Sequence, residues 1–149
     1  MARDVNLRLI PTTAGGAAVD LEGVADNGSE IDTEGGFFAI VRLWLGTVTG
    51  STVVCDVEIL CSIDGGSTDF HIGQFPTIDE ADDDIELARV VYIPKPASGQ
   101  TVTKVKLHTR TSSGTTPVVP CNAAYIEPLV SLGIPGVDAE LTVGVEKLI

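Results

Sequence analysis

Aromatic and basic residues are both scarce in this sequence. Aromatic residues make up 5% of the 149 residues, whereas hydrophobic residues as a whole make up 44%. A core of this chain must therefore be built mainly from Val, Ile, Leu and Ala. Nine Lys and Arg stand against 21 Asp and Glu, which gives a formal net charge of −12. Because nucleic-acid binding needs a basic surface, this charge argues against DNA or RNA as a partner.

A long apolar segment is also missing. No run approaches the ~20 apolar residues that span a bilayer. The first 16 residues, MARDVNLRLIPTTAGG, interleave charged and apolar residues, and they lack the ~7–15-residue apolar stretch of a signal peptide. We therefore expect synthesis in a cytoplasm and no membrane partner.

Only three cysteines are present, and they include no C-x-x-C pair. Cys55 and Cys61 fall on the same face of one predicted strand, about 20 Å apart at ~3.3 Å per residue. At that distance they can neither form a disulfide nor share a tetrahedral metal ion. In a reducing cytoplasm they are expected to stay thiols, and we interpret them as small core residues.

Short runs of alternating apolar and polar residues recur along the whole chain, separated by clusters of Gly, Pro, Ser and Asp. This pattern predicts a single all-β domain over 1–149, an antiparallel β-sandwich. The predicted strands are 5–10, 37–48, 52–63, 69–75, 84–93, 101–110, 121–132 and 140–149. The predicted turns or loops are 26–30, 64–68, 79–84, 94–99, 112–117 and 133–138. The alternation places these residues in the core: Val53, Cys55, Val57, Ile59, Val105 and Leu107.

Two segments, one near each end of the chain, do not fit this simple pattern. Residues 12–36 are poor in large apolar side chains, and we predict a surface arm that orders on a sister subunit or partner, or else an ordinary long loop. Residues 133–149 are expected to add a C-terminal extra strand. The mean hydropathy of +0.28 is high for a small soluble monomer, which suggests that copies of the chain or a partner cover apolar surface.

Residues 62–68 match the S-x-D-x-G-x-T pattern of the Asp-box of sialidase-like propellers, with Ser62, Asp64, Gly66 and Thr68 in the defining positions and Asp69 in place of the usual tryptophan. A propeller needs several blades of ~40–45 residues, so one copy in this chain cannot build one. The segment instead predicts a tight hairpin whose glycines adopt positive φ.

No residues combine into a convincing catalytic or metal site. The two histidines, His71 and His108, carry no cue that pairs either with a nucleophile. The acidic run 79–84 lacks the spacing of an EF-hand and is interpreted as a solvated loop. We therefore expect no enzyme activity, no cofactor and no metal.

Basic side chains alternate along one predicted strand. Lys104, Lys106, His108 and Arg110 share its polar face, and Asp56 and Glu58 alternate on another strand. If the two strands are neighbours, Lys104 and Lys106 can pair with Asp56 and Glu58, which is the interpretation we favour. If they are not, the four basic residues form a candidate interface for an acidic partner.

The order of motifs along residues 3 to 130 resembles the jelly-roll cementing, or decoration, proteins of tailed-bacteriophage heads. The opening RDVNLRLIPTTAGGAAVDLEG is followed by VEILCSIDGGSTDFHIGQFPTI, VVYIP, KVKLHTR and SSGTTPVVPCNAAYIEPL. The resemblance implies a jelly-roll sandwich and a structural virion protein on the outer capsid surface, made in the host cytoplasm. The implied partners are the major capsid protein and the chain itself, for which a homodimer is favoured and a homotrimer is the alternative.

A carbohydrate- or receptor-binding β-sandwich module of a phage particle is the alternative. It would expose aromatic side chains on one face, for which Tyr92 and Tyr125 are candidates, since Trp44 lies in an apolar strand.

Overall fold

A computed structural model of the protein describes residues 7–10 and 16–129. These residues form nine strands and no α-helix, so the all-β prediction is confirmed. None of the described residues belongs to a helix of the length and apolarity that a transmembrane helix needs. The strands are β1 Arg8–Ile10, β2 Val19–Asp20, β3 Ala25–Thr33, β4 Phe37–Leu45, β5 Thr49–Ser62, β6 Phe70–Gln74, β7 Glu86–Ile93, β8 Thr103–Val118 and β9 Pro120–Pro128.

The strands form two antiparallel sheets packed as a β-sandwich. Sheet A has the order β1-β9-β4-β7, with β2 also pairing with β9, and sheet B has the order β3-β8-β5-β6. The pairings are nested around the β5–β6 hairpin: β4 pairs with β7, β3 with β8, and both β1 and β2 with β9. Apart from the β1–β2 and β5–β6 steps, each strand is followed by one in the opposite sheet.

One aliphatic core lies between the sheets. All six predicted core residues are at most 2% exposed, because a strand turns every second side chain to the same face. Phe75 is the fully buried aromatic residue among those described, and the core cluster to which it belongs consists mainly of Leu, Ile and Val. The scarcity of aromatic residues is therefore met by an interior of branched aliphatic chains.

The surface arm or long loop predicted for residues 12–36 is wrong where the structure describes that segment, because β2 and β3 both lie within it. Asn27, Ile31 and Thr33 of β3 are buried, and β3 pairs along β8. Asn27 Nδ2 donates to Thr109 Oγ1 at 2.5 Å, and that hydroxyl donates to the Leu21 carbonyl at 2.8 Å. Hydrogen-bonded polar side chains thus take the place of apolar ones on the inner face of β3. For this reason, the alternation of apolar residues did not predict this strand.

Two predicted turns lie inside strands instead. In residues 26–30, Gly28 adopts a φ of 77° beside a register shift between β3 and β8. In residues 112–117, Gly114 and Thr116 have positive φ, while β8 continues its pairing with β5 through further shifts. Clusters of Gly, Ser, Asp and Pro predicted turns at both places, but the residues form bulges that bend a continuing pair. The extra strand predicted for residues 133–149 lies outside the described residues.

Two connections cross from sheet A to sheet B side by side. β4 runs into β5 through residues 46–48, and β8 runs into β9 through Val119. The two crossings remain bonded, since the Gly46 N–H donates to the Pro120 carbonyl at 2.8 Å and Thr49 lies opposite Val118. The sandwich is therefore closed at this corner by a continuous two-stranded ribbon.

Candidate interaction surfaces

The Asp-box-like segment is a hairpin tip held by its own side chains. Ser62 Oγ donates to Asp64 Oδ1 at 2.8 Å, and the Gly66 N–H donates to Ser62 Oγ at 2.9 Å. The Thr68 N–H donates to Asp64 Oδ1 at 2.9 Å. The hydrogen bond from Ser62, followed by the one from Thr68, lowers the pKa of the Asp64 carboxyl. The predicted hairpin is confirmed, and the motif is explained by the turn that it stabilises.

The outer face of sheet B carries the basic residues that sequence analysis singled out. Lys104 Nζ lies 3.1 Å from Asp32 Oδ1 and 3.7 Å from Glu30 Oε1. Lys106 Nζ lies 2.9 Å from Asp69 Oδ2 and 3.1 Å from an Asp26 carboxylate oxygen. The hydrogen bonds that the lysines donate to these carboxylates raise their pKa values, with Asp32 the largest cause for Lys104 and Asp69 the largest cause for Lys106. Both ammonium groups therefore have carboxylate partners within the chain.

The carboxylates that pair with the lysines are not the predicted ones. β5 and β8 are neighbours, but their register places Leu60 opposite Lys106 and Ser62 opposite Lys104. Asp56 lies opposite Thr111 and accepts a hydrogen bond from Thr77. Strand β3, which was predicted to be part of a loop, supplies most of the carboxylates instead.

His108 and Arg110 complete the basic row of β8. His108 Nδ1 lies 3.0 Å from Glu58 Oε1, so one of the two predicted acidic residues does face this row. Arg110 donates to Gln74 Oε1 at 3.4 Å and has no ion pair among residues 7–10 and 16–129. Surface ion pairs of this kind contribute little to stability because solvent screens them. Their main effect is to leave this face polar and electrostatically paired.

Carboxylates of the acidic loop 79–84 accept hydrogen bonds from the backbone. The Val48 N–H donates to Asp83 Oδ1 at 2.8 Å, and the Val53 N–H donates to Glu80 Oε2 at 2.9 Å. Backbone N–H donors, its own and that of Val53, lower the pKa of Glu80. Within the described residues, no group of three or more His, Cys, Asp or Glu side chains is arranged to hold a metal ion.

All three cysteines are buried free thiols, in agreement with their interpretation as core residues. Desolvation raises the pKa of Cys55 to about 12, and Asp56 and Asp20 add to the effect. Burial likewise raises the pKa of Cys121 to about 12. The thiolate is the reactive form of cysteine, and a thiol of such high pKa is almost entirely protonated at neutral pH.

The outer face of sheet A gathers four aromatic side chains, of which sequence analysis named only Tyr92 and Tyr125 as candidates for an exposed face. Phe38 and Tyr92 lie side by side with ring centroids 5.0 Å apart, and Trp44 and Tyr125 with centroids 5.7 Å apart. Phe38 is 51% exposed, and Tyr92 and Val90 are each 47% exposed. The aromatic residues of β4 on this face could have been identified from the alternation within the strand, since residues 38, 40, 42 and 44 share one side.

Arg42 lies in the middle of this face and joins two strands to β4. Its Nε donates to Glu127 Oε2 at 2.9 Å on β9, and one of its terminal nitrogens donates to Glu86 Oε1 at 2.5 Å on β7. These two hydrogen bonds, led by Glu86, raise the pKa of Arg42. The two sheets thus present different outer faces, one covered by charged rows and one mainly apolar and aromatic.

Comparisons of the chain with protein-family models, with curated proteins and with solved structures found no match.

Proposed function

We propose that this chain is a structural virion protein of a tailed bacteriophage. It is a capsid cement, or decoration, protein that binds the outside of the assembled head and stabilises the lattice of the major capsid protein. It associates with further copies of itself and acts without catalysis, cofactor or metal. Synthesis takes place in the host cytoplasm, and the protein ends on the outer capsid surface.

The nested strand pairing is the observation that carries this proposal. Because β1 and β2 both pair with β9, they occupy one position, which leaves eight positions along the chain. Numbered in order, these positions run 1-8-3-6 in sheet A and 2-7-4-5 in sheet B. This arrangement is the one expected of a double-sheet jelly roll with eight strands. This order supports the jelly-roll type that the motif order in the sequence implies.

The surfaces suit a protein that works by repeated weak contacts. A charged, internally paired face on sheet B favours solvent, while the exposed rings on sheet A favour contact with another protein. One such contact is small, but many equivalent contacts on a shell act together through avidity. A protein that binds the assembled lattice and not its free subunits stabilises the lattice by mass action.

Co-sedimentation with heads that lack this chain tests the proposal. We expect the protein to pellet with intact heads, to saturate at a fixed ratio to the capsid protein, and to leave unassembled capsid protein unbound. Decorated heads should also open at a higher temperature than bare heads. An unrelated acidic protein of similar size is the control. If the chain stays in the supernatant at every concentration, it is not a cement protein.

A carbohydrate- or receptor-binding module is the second candidate, and the aromatic residues on sheet A favour it. Phe38 and Tyr92 are exposed enough to stack on an apolar ligand face. Their planes are inclined by 56°, so the two rings do not form one flat platform. A glycan titration followed by NMR distinguishes the two functions. The second function would be favoured by two results together. Sialic acid or another sugar would shift the Phe38 and Tyr92 resonances, and the protein would not bind heads.

A further inference from the structure

We infer that a second copy of this chain packs face to face on the apolar corner of sheet A, in an isologous two-fold contact. The apolar corner is the outward-facing set Phe38, Ile40, Ala88, Val90 and Tyr92, of which Ile40 is only 8% exposed and the other four are exposed. This inference rests on the self-association in the proposed function, but it requires no capsid. It names the surface and the register through which two copies meet.

The corner has a simple layout set by the β4–β7 register. Phe38 lies opposite Tyr92, Ile40 opposite Val90, and Arg42 opposite Ala88. These three cross-strand pairs face outward and follow one another at ~6.8 Å, twice the rise of a strand residue. The first pair is bulky, the second is of intermediate size, and the third has the small side chain of Ala88.

This layout is self-complementary. A two-fold axis through the middle pair, Ile40 and Val90, places the bulky pair of one copy over the third pair of the other. The rings then fill the space above Ala88 and meet the Arg42 guanidinium, a favourable cation–π partner. Each copy supplies both the rings and the hollow, which is the requirement of an isologous interface.

The charge of the molecule also favours this face for self-contact. With a formal net charge of −12, two copies repel each other over most approaches. On the outer face of β4 and β7, the charged side chains are Arg42 and Glu86, which are joined as an ion pair. Glu127 of the adjoining β9 lies opposite Ile40 and is paired with the same Arg42. Two copies that meet at this corner therefore bring together little unpaired charge.

The open edge of the sheet does not offer an equally good contact. Strand β7 is the edge strand of sheet A. Arg89 of β7 lies opposite the buried Val41 of β4, so both residues are on the inner face of the sheet. The stem of Arg89 runs beside β6, since a Cβ on Gly73 would lie 3.6 Å from Arg89 Cγ. An inward-pointing charge on an edge strand is a known obstacle to strand addition. The second copy is thus expected on the face of β7 and not along its edge.

The size of the corner predicts a weak dimer. About half of Phe38, Tyr92 and Val90 is exposed, which at ~150–250 Å² per aromatic side chain amounts to roughly 300 Å². A standard stable interface buries about 800 Å² per partner. We therefore expect a dissociation constant on the order of 10 µM to 1 mM. Copies crowded on a surface would be held together far more strongly than copies in dilute solution.

Sedimentation equilibrium of the whole chain from ~10 µM to ~1 mM tests the inference. We expect wild type to approach the dimer mass, Val90→Lys to remain monomeric with at least a tenfold weaker association, and Val118→Lys to behave as wild type. Val118 is the matched control because it is a 41% exposed valine on β8 of the other sheet. Circular dichroism checks that each variant is folded, and Tyr92→Ser replaces Val90→Lys if that variant is not.

A monomeric wild type at the highest concentration would overturn the inference. So would a dimer that Val118→Lys weakens and Val90→Lys does not. Capsid binding plays no part in this assay, so its outcome is separate from that of the co-sedimentation test.

The register is tested by exchanging the large and small positions. Ala88→Tyr alone should block the partner's ring and weaken association at least tenfold. Adding Tyr92→Ala in the same chain restores a large residue opposite a small one, so the double variant should recover much of the association. If the double variant is weaker than both single variants, the two positions do not meet across the axis and the proposed register is wrong.

Discussion

Truncation of Ile59 to Ala should be among the most destabilising single changes in the sandwich. Ile59 is fully buried on the inner face of β5. Three carbon atoms are removed, and at ~0.8 kcal/mol per buried carbon the transfer loss alone is about 2.4 kcal/mol. The cavity left behind brings the expected cost into the range of ~2–5 kcal/mol.

The surroundings of Ile59 place the cost in the upper part of this range. Its neighbour on β6 is Gly73, and a Cβ built there would lie 3.4 Å from Ile59 Cδ1. A glycine has no side chain that can move into the vacated space, so the cavity is filled poorly. For a chain of this length, a loss of ~3–4 kcal/mol corresponds to a fall in Tm of about 6–16 °C.

The matched control is Leu60→Ala, one residue along the same strand. Leu60 lies on the outer face and is only partly buried, so its truncation should cost ~1 kcal/mol or less. Equilibrium unfolding in urea, followed by far-ultraviolet circular dichroism at a concentration where the chain is monomeric, measures both variants. Equal losses for the two variants, or a larger loss for Leu60→Ala, would refute the assignment of the two faces of β5.

Three further predictions concern a bulge, a thiol and a turn. Gly28→Ala should lower the free energy of unfolding by more than ~2 kcal/mol, because its Cβ would lie 2.3 Å from the Leu9 carbonyl oxygen at a φ of 77°. The control Gly99→Ala, with a φ of 87° and open space around it, should lower it by about 1 kcal/mol in the same denaturation assay. Equal losses would contradict the close approach at Gly28. All three buried cysteines should resist iodoacetamide at neutral pH in the folded protein and react in denaturant. Burial raises the pKa of each thiol, to about 12 for Cys55, so little reactive thiolate is present. Rapid labelling without unfolding would contradict their burial. Asp64→Ala should loosen the hairpin while leaving head binding intact; because the pKa of Asp64 is lowered in the folded state, its contribution is present above the ordinary Asp pKa and is lost as the pH falls through the lowered value. A variant whose thermal stability matched that of wild type at pH 7 and at pH 3 would show that this carboxylate does not hold the turn.

The alternation of side chains was enough to predict the all-β class, most strand positions and the core of β5 and β8. Val53, Val57 and Leu107 were assigned from period two alone and are all buried. This succeeds because the face of a strand residue depends only on its position in the strand, and not on which strand lies beside it. The hairpin at 62–68 was predicted for the same kind of reason, since its hydrogen bonds link residues no more than four apart.

Strand β3 and the partners of Lys104 and Lys106 could not be read in this way. Asn27 is buried because Thr109, distant in the sequence, satisfies its amide, and no local pattern signals that hydrogen bond. The lysines pair with carboxylates of β3 and with Asp69, a choice that depends on register and on bulges between strands. The sequence by itself determined which side chains alternate and where the tight hairpin lies. Only the tertiary structure decided which strands are neighbours. The ion pairs of sheet B and the ring pairs of sheet A follow from that choice, because those contacts join residues that are far apart along the chain.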